Sequence, residues 1–348
     1  MIYFHNDYHD MCHAAVLEKM TKLHTQPMPG YGEDPLCAQA AQKIRALCGR
    51  EDVAVHFLVG GTQTNLTVIS AALRPHQAVI GADTAHINVH ETGAIEATGH
   101  KVIALTTNNG KITGQQVEEL AQLHRESADR EHMAQPKMVY ISNPTEMGTI
   151  YTLAELEALY AACQKHGLYL YVDGARLGYG LTAKGNDVTL ADMARLCDVF
   201  YIGGTKCGAM FGEAVVISND ALKEDFRYLI KRHGGMLAKG WQLGAQFDAL
   251  FENDLYFTIS AHANRMADRI RDTLQELSIP TVVACTTNQI FPILSDAFLE
   301  ELGEEFTFTE MHRVDATHRA VRFCTSWATT QECVDTLCNA MREIEKKL

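Results

Sequence analysis

Between about residue 50 and residue 220, short runs of β-branched and aromatic residues alternate with longer stretches of helical periodicity, and few architectures accept that pattern. AVHFLV at 54–59 reads as a buried strand, and TQTNLTVISAAL at 62–73 as the helix behind it. AVIG (78–81), KVIAL (101–105), MVYIS (138–142), LYLYV (168–172) and VFYIG (199–203) continue the series. Between them lie TGQQVEELAQLHRES and TLAELEALYAACQKHG; the second has a Thr N-cap, a Glu three positions on and a closing Gly. Alternation on this scale predicts an α/β fold with a doubly wound, mostly parallel sheet.

Beyond about residue 220 the pattern changes. LKEDFRYLIKRH reads as one helix, and WQLGAQFDALFENDLYFTISAHANRMADRIRDTLQEL as a long helix leaving the sheet domain. Short strands follow (TVVAC, QIFPIL, AVRFC), then a final helix over ECVDTLCNAMREIEKKL. The expected division is a large α/β unit at 1–250, including the N-terminal segment, and a smaller α+β unit at 251–348. No Pro/Gly/Ser linker or solenoid repeat marks the chain.

Composition narrows the function. A formal net charge of −13 argues against a general nucleic-acid binder, which needs a basic face to displace counterions. The N-terminal MIYFHNDYHD lacks the signature of a secretory leader, and no apolar run reaches the length of a membrane span. The ten cysteines form no CxxC pair, so they read as reduced thiols and point to a cytoplasmic protein.

Three features sit where strands end, which is where open α/β sheets place ligands. Gly60-Gly61-Thr62 follows the first strand and opens a helix; free N–H groups and the helix dipole there favour a phosphate, although the same turn also serves as a plain cap. It is neither a P-loop nor GxGxxG. Asp173 ends the apolar strand LYLYV, where it needs a partner: a cationic ring nitrogen, an ion pair with Arg176, or a helix N-terminus to cap. Lys206, in Gly203-Gly204-Thr205-Lys206-Cys207-Gly208, is either a solvated loop lysine or a desolvated amine able to form an imine with a carbonyl. A phosphate cradle, then an Asp, then a Lys, each at a strand end, make up the parts of a pyridoxal 5′-phosphate (PLP) site.

The order GGTQTN, AHINVHETGA, VDGARLGYG and GGTKCGAMFGEA resembles the low-specificity threonine aldolases, fold-type-I PLP enzymes within the β-eliminating lyase group. The resemblance runs from HNDY near the N-terminus to VRFCTSW. It implies that Lys206 joins the cofactor, that Asp173 pairs with the ring nitrogen, and that Gly61 and Thr62, with Thr205, hold the phosphate. It further implies that His86 stacks on the ring, that Arg176, Arg322 and Asn6 receive the substrate carboxylate, and that Tyr31 crosses a dimer interface. On residue type alone, His86 reads as a helix-start residue, Asn6 as a turn residue, Arg322 as a strand charge and Tyr31 as a loop aromatic.

The chain departs from the family pattern at Asn143-Pro144-Thr145-Glu146, where Glu146 stands in place of a histidine near the substrate hydroxyl. The segment GGMLAKGWQLG also lacks an arginine expected near a neighbouring phosphate; Lys239 is its substitute or a solvated lysine. The activity implied is cleavage of the Cα–Cβ bond of a β-hydroxy amino acid (threonine, allo-threonine or similar) to glycine and an aldehyde. His86, Glu146, His90 or a water they orient would take the hydroxyl proton. An aminotransferase or β-eliminating lyase would use the same cofactor differently. A metal-dependent hydrolase built on His86 and His90, with His5, Asp7, His9, Asp10 and His13 nearby, is the alternative from another class; no metal is otherwise expected. The small amino-acid substrate is the expected partner, and the resemblance implies a homodimer or homotetramer with shared active sites.

Overall fold

A computed structural model describes residues 1–348. The strands in chain order are β1 (Ile2–Tyr3), β2 (Ala54–Leu58), β3 (Gln77–Ala82), β4 (Lys101–Leu105), β5 (Gln135–Ser142), β6 (Tyr169–Asp173), β7 (Val199–Gly203), β8 (Glu213–Ile217), β9 (Gln289–Ile290), β10 (Ile293–Ser295), β11 (Phe306–Thr307), β12 (Thr309–Arg313) and β13 (His318–Cys324). Seven form the central sheet in the order β2-β8-β7-β6-β5-β3-β4. Neighbours from β7 to β4 pair in parallel, while β8 runs antiparallel to both β2 and β7. Strands β3 and β5 to β8 are almost wholly buried, as expected of strands with layers on both faces.

Helix boundaries follow their local chemistry. Thr152 and Glu155 form a reciprocal capping box at the start of Leu153–His166, and Gly167, at φ 64°, ends it in the left-handed region. Thr113 and Gln116 do the same at the start of Gly114–Glu126.

Four expectations are corrected. The long helix breaks into Trp241–Leu250 and Leu255–Glu276, because Asn253 and Asp254 take φ of 51° and 57°, a region those short polar residues tolerate best among non-glycines. The preceding helix is only Phe226–Arg232, with Asp225 left-handed before it. TVVAC forms no strand beyond a single bridge from Thr281 to Pro292, and QIFPIL is split by that proline into β9 and β10.

Two large apolar clusters result, one of 57 buried residues around the sheet and one of 18 among β9–β13 and the helices Leu255–Glu276, Asp296–Gly303 and Gln331–Lys347. Phe4 belongs to the second, because β1 pairs in parallel with β11. The N-terminus thereby brings residues 5–10 to the seam between the clusters.

Along the central sheet the strand order turns at β3, which has β4 on one side and β5 on the other. A crevice opens there beyond the carboxyl ends of the strands.

Candidate active site

The crevice is a cavity of about 250 Å³ lined by Gly60, Gly61, Thr62, Asn65, His86, Ser142, Glu146, Asp173, Arg176, Tyr201, Thr205, Lys206 and Glu213, among others. Eight residues singled out from sequence therefore meet here: Gly61, Thr62, His86, Glu146, Asp173, Arg176, Thr205 and Lys206.

The helix Gly61–Ala72 starts at this cavity with no side-chain cap, so its first-turn N–H groups stay open to an anion. A Cβ on Gly61 would stand 3.2 Å from the Tyr201 hydroxyl, a tight contact that favours glycine.

Asp173 is 4% exposed and accepts four hydrogen bonds. Its Oδ1 takes the Tyr201 hydroxyl at 2.5 Å and the Ala175 N–H at 2.9 Å; its Oδ2 takes the Tyr140 hydroxyl at 2.6 Å and the Asn65 amide at 3.1 Å. Burial, reinforced by Asp173 itself, holds both phenols well above their usual titration range, so they remain donors. All four donors are neutral. Arg176 does not pair with Asp173, contrary to one alternative from sequence, because its fork grips Asp7: Nε to Oδ2 at 2.6 Å and Nη2 to Oδ1 at 2.9 Å. Burial would raise the Asp7 carboxyl, but Arg176 and Lys206 outweigh it and hold it below its ordinary value.

Two glycine contacts bring together the turns that carry Asp173 and Lys206. A Cβ on Gly174 would collide with the Tyr201 carbonyl, and one on Gly203 with the Ala175 carbonyl, so the DGAR and GGTK turns approach as closely as they do only as glycines. No side chain bonds the Lys206 amine; burial and then Arg176 lower its pKa, against the pull of Asp7, Asp173 and Glu213. It is thereby a half-buried nucleophile facing the cavity. The Thr205 hydroxyl donates to Glu213 Oε1 at 2.8 Å and accepts from the Gly212 N–H at 3.0 Å.

His86 opens the short helix His86–Val89 after β3. Its Nδ1 lies 2.8 Å from Glu91 Oε1, and its backbone N–H donates to Glu146 Oε1 at 2.9 Å. That same Glu146 oxygen accepts from the Ser142 hydroxyl at 2.6 Å. Burial, with a smaller push from Asp173, raises the Glu146 carboxyl against those hydrogen bonds. Glu91 also accepts from Asn65 at 2.7 Å, which ties His86 through Glu91 and Asn65 to Asp173.

The other candidates lie off the cavity wall. Arg322, on β13, has no carboxylate partner; its Nη2 makes a 3.3 Å bond to the His5 carbonyl, and its buried Nε is unpaired. Asn6 accepts from the Tyr8 N–H at 2.9 Å, as a turn residue does. Tyr31 and the exposed Lys239 lie in neighbouring loops on a separate surface, where Lys231 stands 4.9 Å from the Tyr31 ring. His90 is exposed, with its ring 5.6 Å from that of His86. No three His, Cys, Asp or Glu side chains are placed to hold a metal ion.

Sequence reasoning missed Asp7 as a partner, and also Asn65, Glu91, Tyr140, Tyr201 and Glu213. The signal available for the tyrosines was a hydroxyl inside an apolar strand, which needs a buried acceptor.

The donor set fits PLP: an uncapped helix start for a phosphate, an anion surrounded by neutral donors for a ring nitrogen, and an unpaired amine for the carbonyl carbon. The comparisons agree. The family model for β-eliminating lyases matches residues 11–297. A low-specificity L-threonine aldolase from a Pseudomonas species is 30% identical over 337 residues, 95% of this chain and 93% of that protein. A Leishmania major threonine aldolase structure superposes with a TM-score of 0.96 at 45% identity, covering 99% of this chain and 100% of that one. An aspartate aminotransferase from Thermus thermophilus shares the fold at 18% identity, with a TM-score of 0.71 and 91% of that chain covered.

Proposed function

We infer, from the premise that this chain belongs to the β-eliminating lyase family, that it is a PLP-dependent aldehyde-lyase of the threonine aldolase type. It cleaves the Cα–Cβ bond of threonine to glycine and an aldehyde. The observation that carries the site assignment is the unpaired, desolvated Lys206 amine in the same cavity as Asp173, an anion given only neutral donors.

Lys206 would hold the cofactor through an imine, and the cofactor when bound would supply an electron sink. Asp173, whose hydrogen-bond donors are all neutral, would keep a proton on the ring nitrogen of the cofactor. Gly61, Thr62 and Thr205 would hold the phosphate through N–H and hydroxyl groups. His86, with Nδ1 fixed by Glu91, lines the cavity, where its ring would stack on that of the cofactor. Arg322, whose buried Nε is unpaired, takes the substrate carboxylate together with Arg176, whose orientation is set by Asp7. Asn6 completes the carboxylate end. Glu146, anchored through Oε1, leaves Oε2 to accept the substrate hydroxyl proton.

Tyr31 and Lys239 lie away from this chain's own cavity, which supports their serving a partner's site in a homodimer or homotetramer. The exclusion of nucleic acid as a partner rests on the acidic balance. Cytoplasmic residence is supported by ten free cysteines, and no helix is long and apolar enough to cross a membrane. The two-unit division near residue 250 is supported by the break at Asn253–Asp254.

The test is product analysis with threonine, allo-threonine and an aryl β-hydroxy amino acid. Glycine and aldehyde in equal amounts are expected. Keto acid or ammonia as the principal product would replace the aldolase reading with transamination or elimination.

A further inference from the structure

Glu213 is the one carboxylate of the cavity that the reaction leaves unused. It opens β8, is 3% exposed, and bonds only to the turn that carries Lys206. Its Oε2 accepts the Gly204 N–H at 3.0 Å and its Oε1 the Thr205 hydroxyl at 2.8 Å. Thr205 Oγ1 also accepts the Gly212 N–H at 3.0 Å. With Glu213 ionised, the Thr205 proton is therefore committed to the carboxylate and cannot reach a phosphate. A second anion in that cavity would also repel one.

We propose that Glu213 is a positioning residue whose protonation releases the Thr205 hydroxyl to the cofactor phosphate, so that phosphate binding takes up one proton. This rests on the PLP reading above. One proton comes from solvent to Glu213 Oε1, which then donates to Thr205 Oγ1, while the Thr205 proton turns to the phosphate. Thr205 Oγ1 then uses both lone pairs, for the Gly212 N–H and for Glu213, and its single proton. The Gly204 N–H keeps its acceptor throughout.

The surroundings place this exchange in an accessible range. Burial pushes the Glu213 carboxyl up to about 7, against the Thr205 and Gly204 hydrogen bonds and the attraction of Lys206, with Asp173 adding to the rise. The flanking strands present Leu58 and Gly203, neither ionisable. The remaining titratable neighbours are Cys207 and the phenols of Tyr171, Tyr201 and Tyr256, all held protonated by burial.

The test compares PLP with pyridoxal, which shares the Lys206 chemistry but has no phosphate. Between pH 7 and 9 the ligand phosphate is already a dianion, since its own ionisation lies near ~6. Over that range the PLP dissociation constant of the apoprotein, relative to that of pyridoxal, should rise by up to about tenfold per pH unit. In Glu213→Gln the amide imitates the protonated acid, donating to Thr205 and accepting from Gly204, so the relative constant should be flat. Calorimetry of the unaltered protein in two buffers of different ionisation enthalpy should show more protons taken up with PLP than with pyridoxal, and it decides the matter even if the variant does not fold. Equal proton uptake, or the same slope in Glu213→Gln, would overturn the proposal while leaving PLP binding intact. No PLP binding at any pH would remove the cofactor reading and this inference with it.

Discussion

Replacing Asp7 by alanine should strip the buried Arg176 guanidinium of its only counter-charge in direct contact. The Asp7 side chain is fully buried and that of Arg176 is 13% exposed, so solvent screens the pair little. Removing one partner of such a pair costs about 3–5 kcal/mol. Asn288, which also donates to Asp7 at 2.8 Å, keeps the Thr325 carbonyl at 2.8 Å and adds little to the loss. At about 2 °C per kcal/mol for a chain of this size, the apparent Tm of the cofactor-free protein should fall by about 6–10 °C. The double change Asp7→Leu with Arg176→Met should recover most of that loss, because an apolar pair of similar volume replaces a buried ion pair nearly neutrally. The pH dependence has a definite sign. The folded Asp7 carboxyl lies below its unfolded value, so its contribution is fully present above the unfolded pKa of about 3.9 and is lost as pH falls through the folded one. The Tm difference between Asp7→Ala and the unaltered protein should accordingly be constant from about pH 6 to 8 and shrink in acid. Scanning calorimetry of the three proteins checks this. A fall below about 2 °C for Asp7→Ala, or a double variant less stable than the single, would refute the reasoning.

Other perturbations separate the roles assigned around the cavity. Glu146→Gln should lower kcat by about 10²–10⁴-fold with PLP still bound, and should abolish an acid limb that lies above the ordinary carboxylate range, since the buried Glu146 must be ionised to accept the hydroxyl proton; a pH–rate profile reads both. Arg322→Leu should raise KM for the amino acid by about 10–100-fold, the worth of hydrogen bonds to a charged group, without changing the cofactor spectrum. Gly174→Ala places a methyl against the Tyr201 carbonyl and should cost at least about 1–3 kcal/mol, read as a lower apparent Tm and weaker PLP retention.

Much of the architecture was legible because buried strands are apolar and short: six of the seven central strands, β2 to β7, coincide with runs such as AVHFLV, LYLYV and VFYIG. Direction was less accessible, since a period-2 pattern has no sign; β8 is antiparallel because the connection over 204–212, with Gly208 and Gly212 at φ 97° and 114°, is too short for a crossover. The charged strand TEMHR was invisible because it lies at the sheet edge, paired only with β13. In the cavity, glycine-flanked groups such as Lys206 and Asp173 stood out by local context. Asp7 and Glu91 did not, because their meaning lies in contacts made through folding; Asp7 meets Arg176 across 169 positions of chain. Glu213 was hidden for a related reason, as a carboxylate at the start of EAVVI looks like a polar strand end until Thr205 is seen beside it.

The point at which the cofactor joins the chain is directly measurable. Borohydride reduction of the PLP-loaded protein, followed by proteolysis and mass mapping, should find the phosphopyridoxyl group on the peptide containing Lys206, and Lys206→Ala should lose both the label and the visible absorbance. A label on another lysine, or a folded protein that retains no PLP, would contradict it.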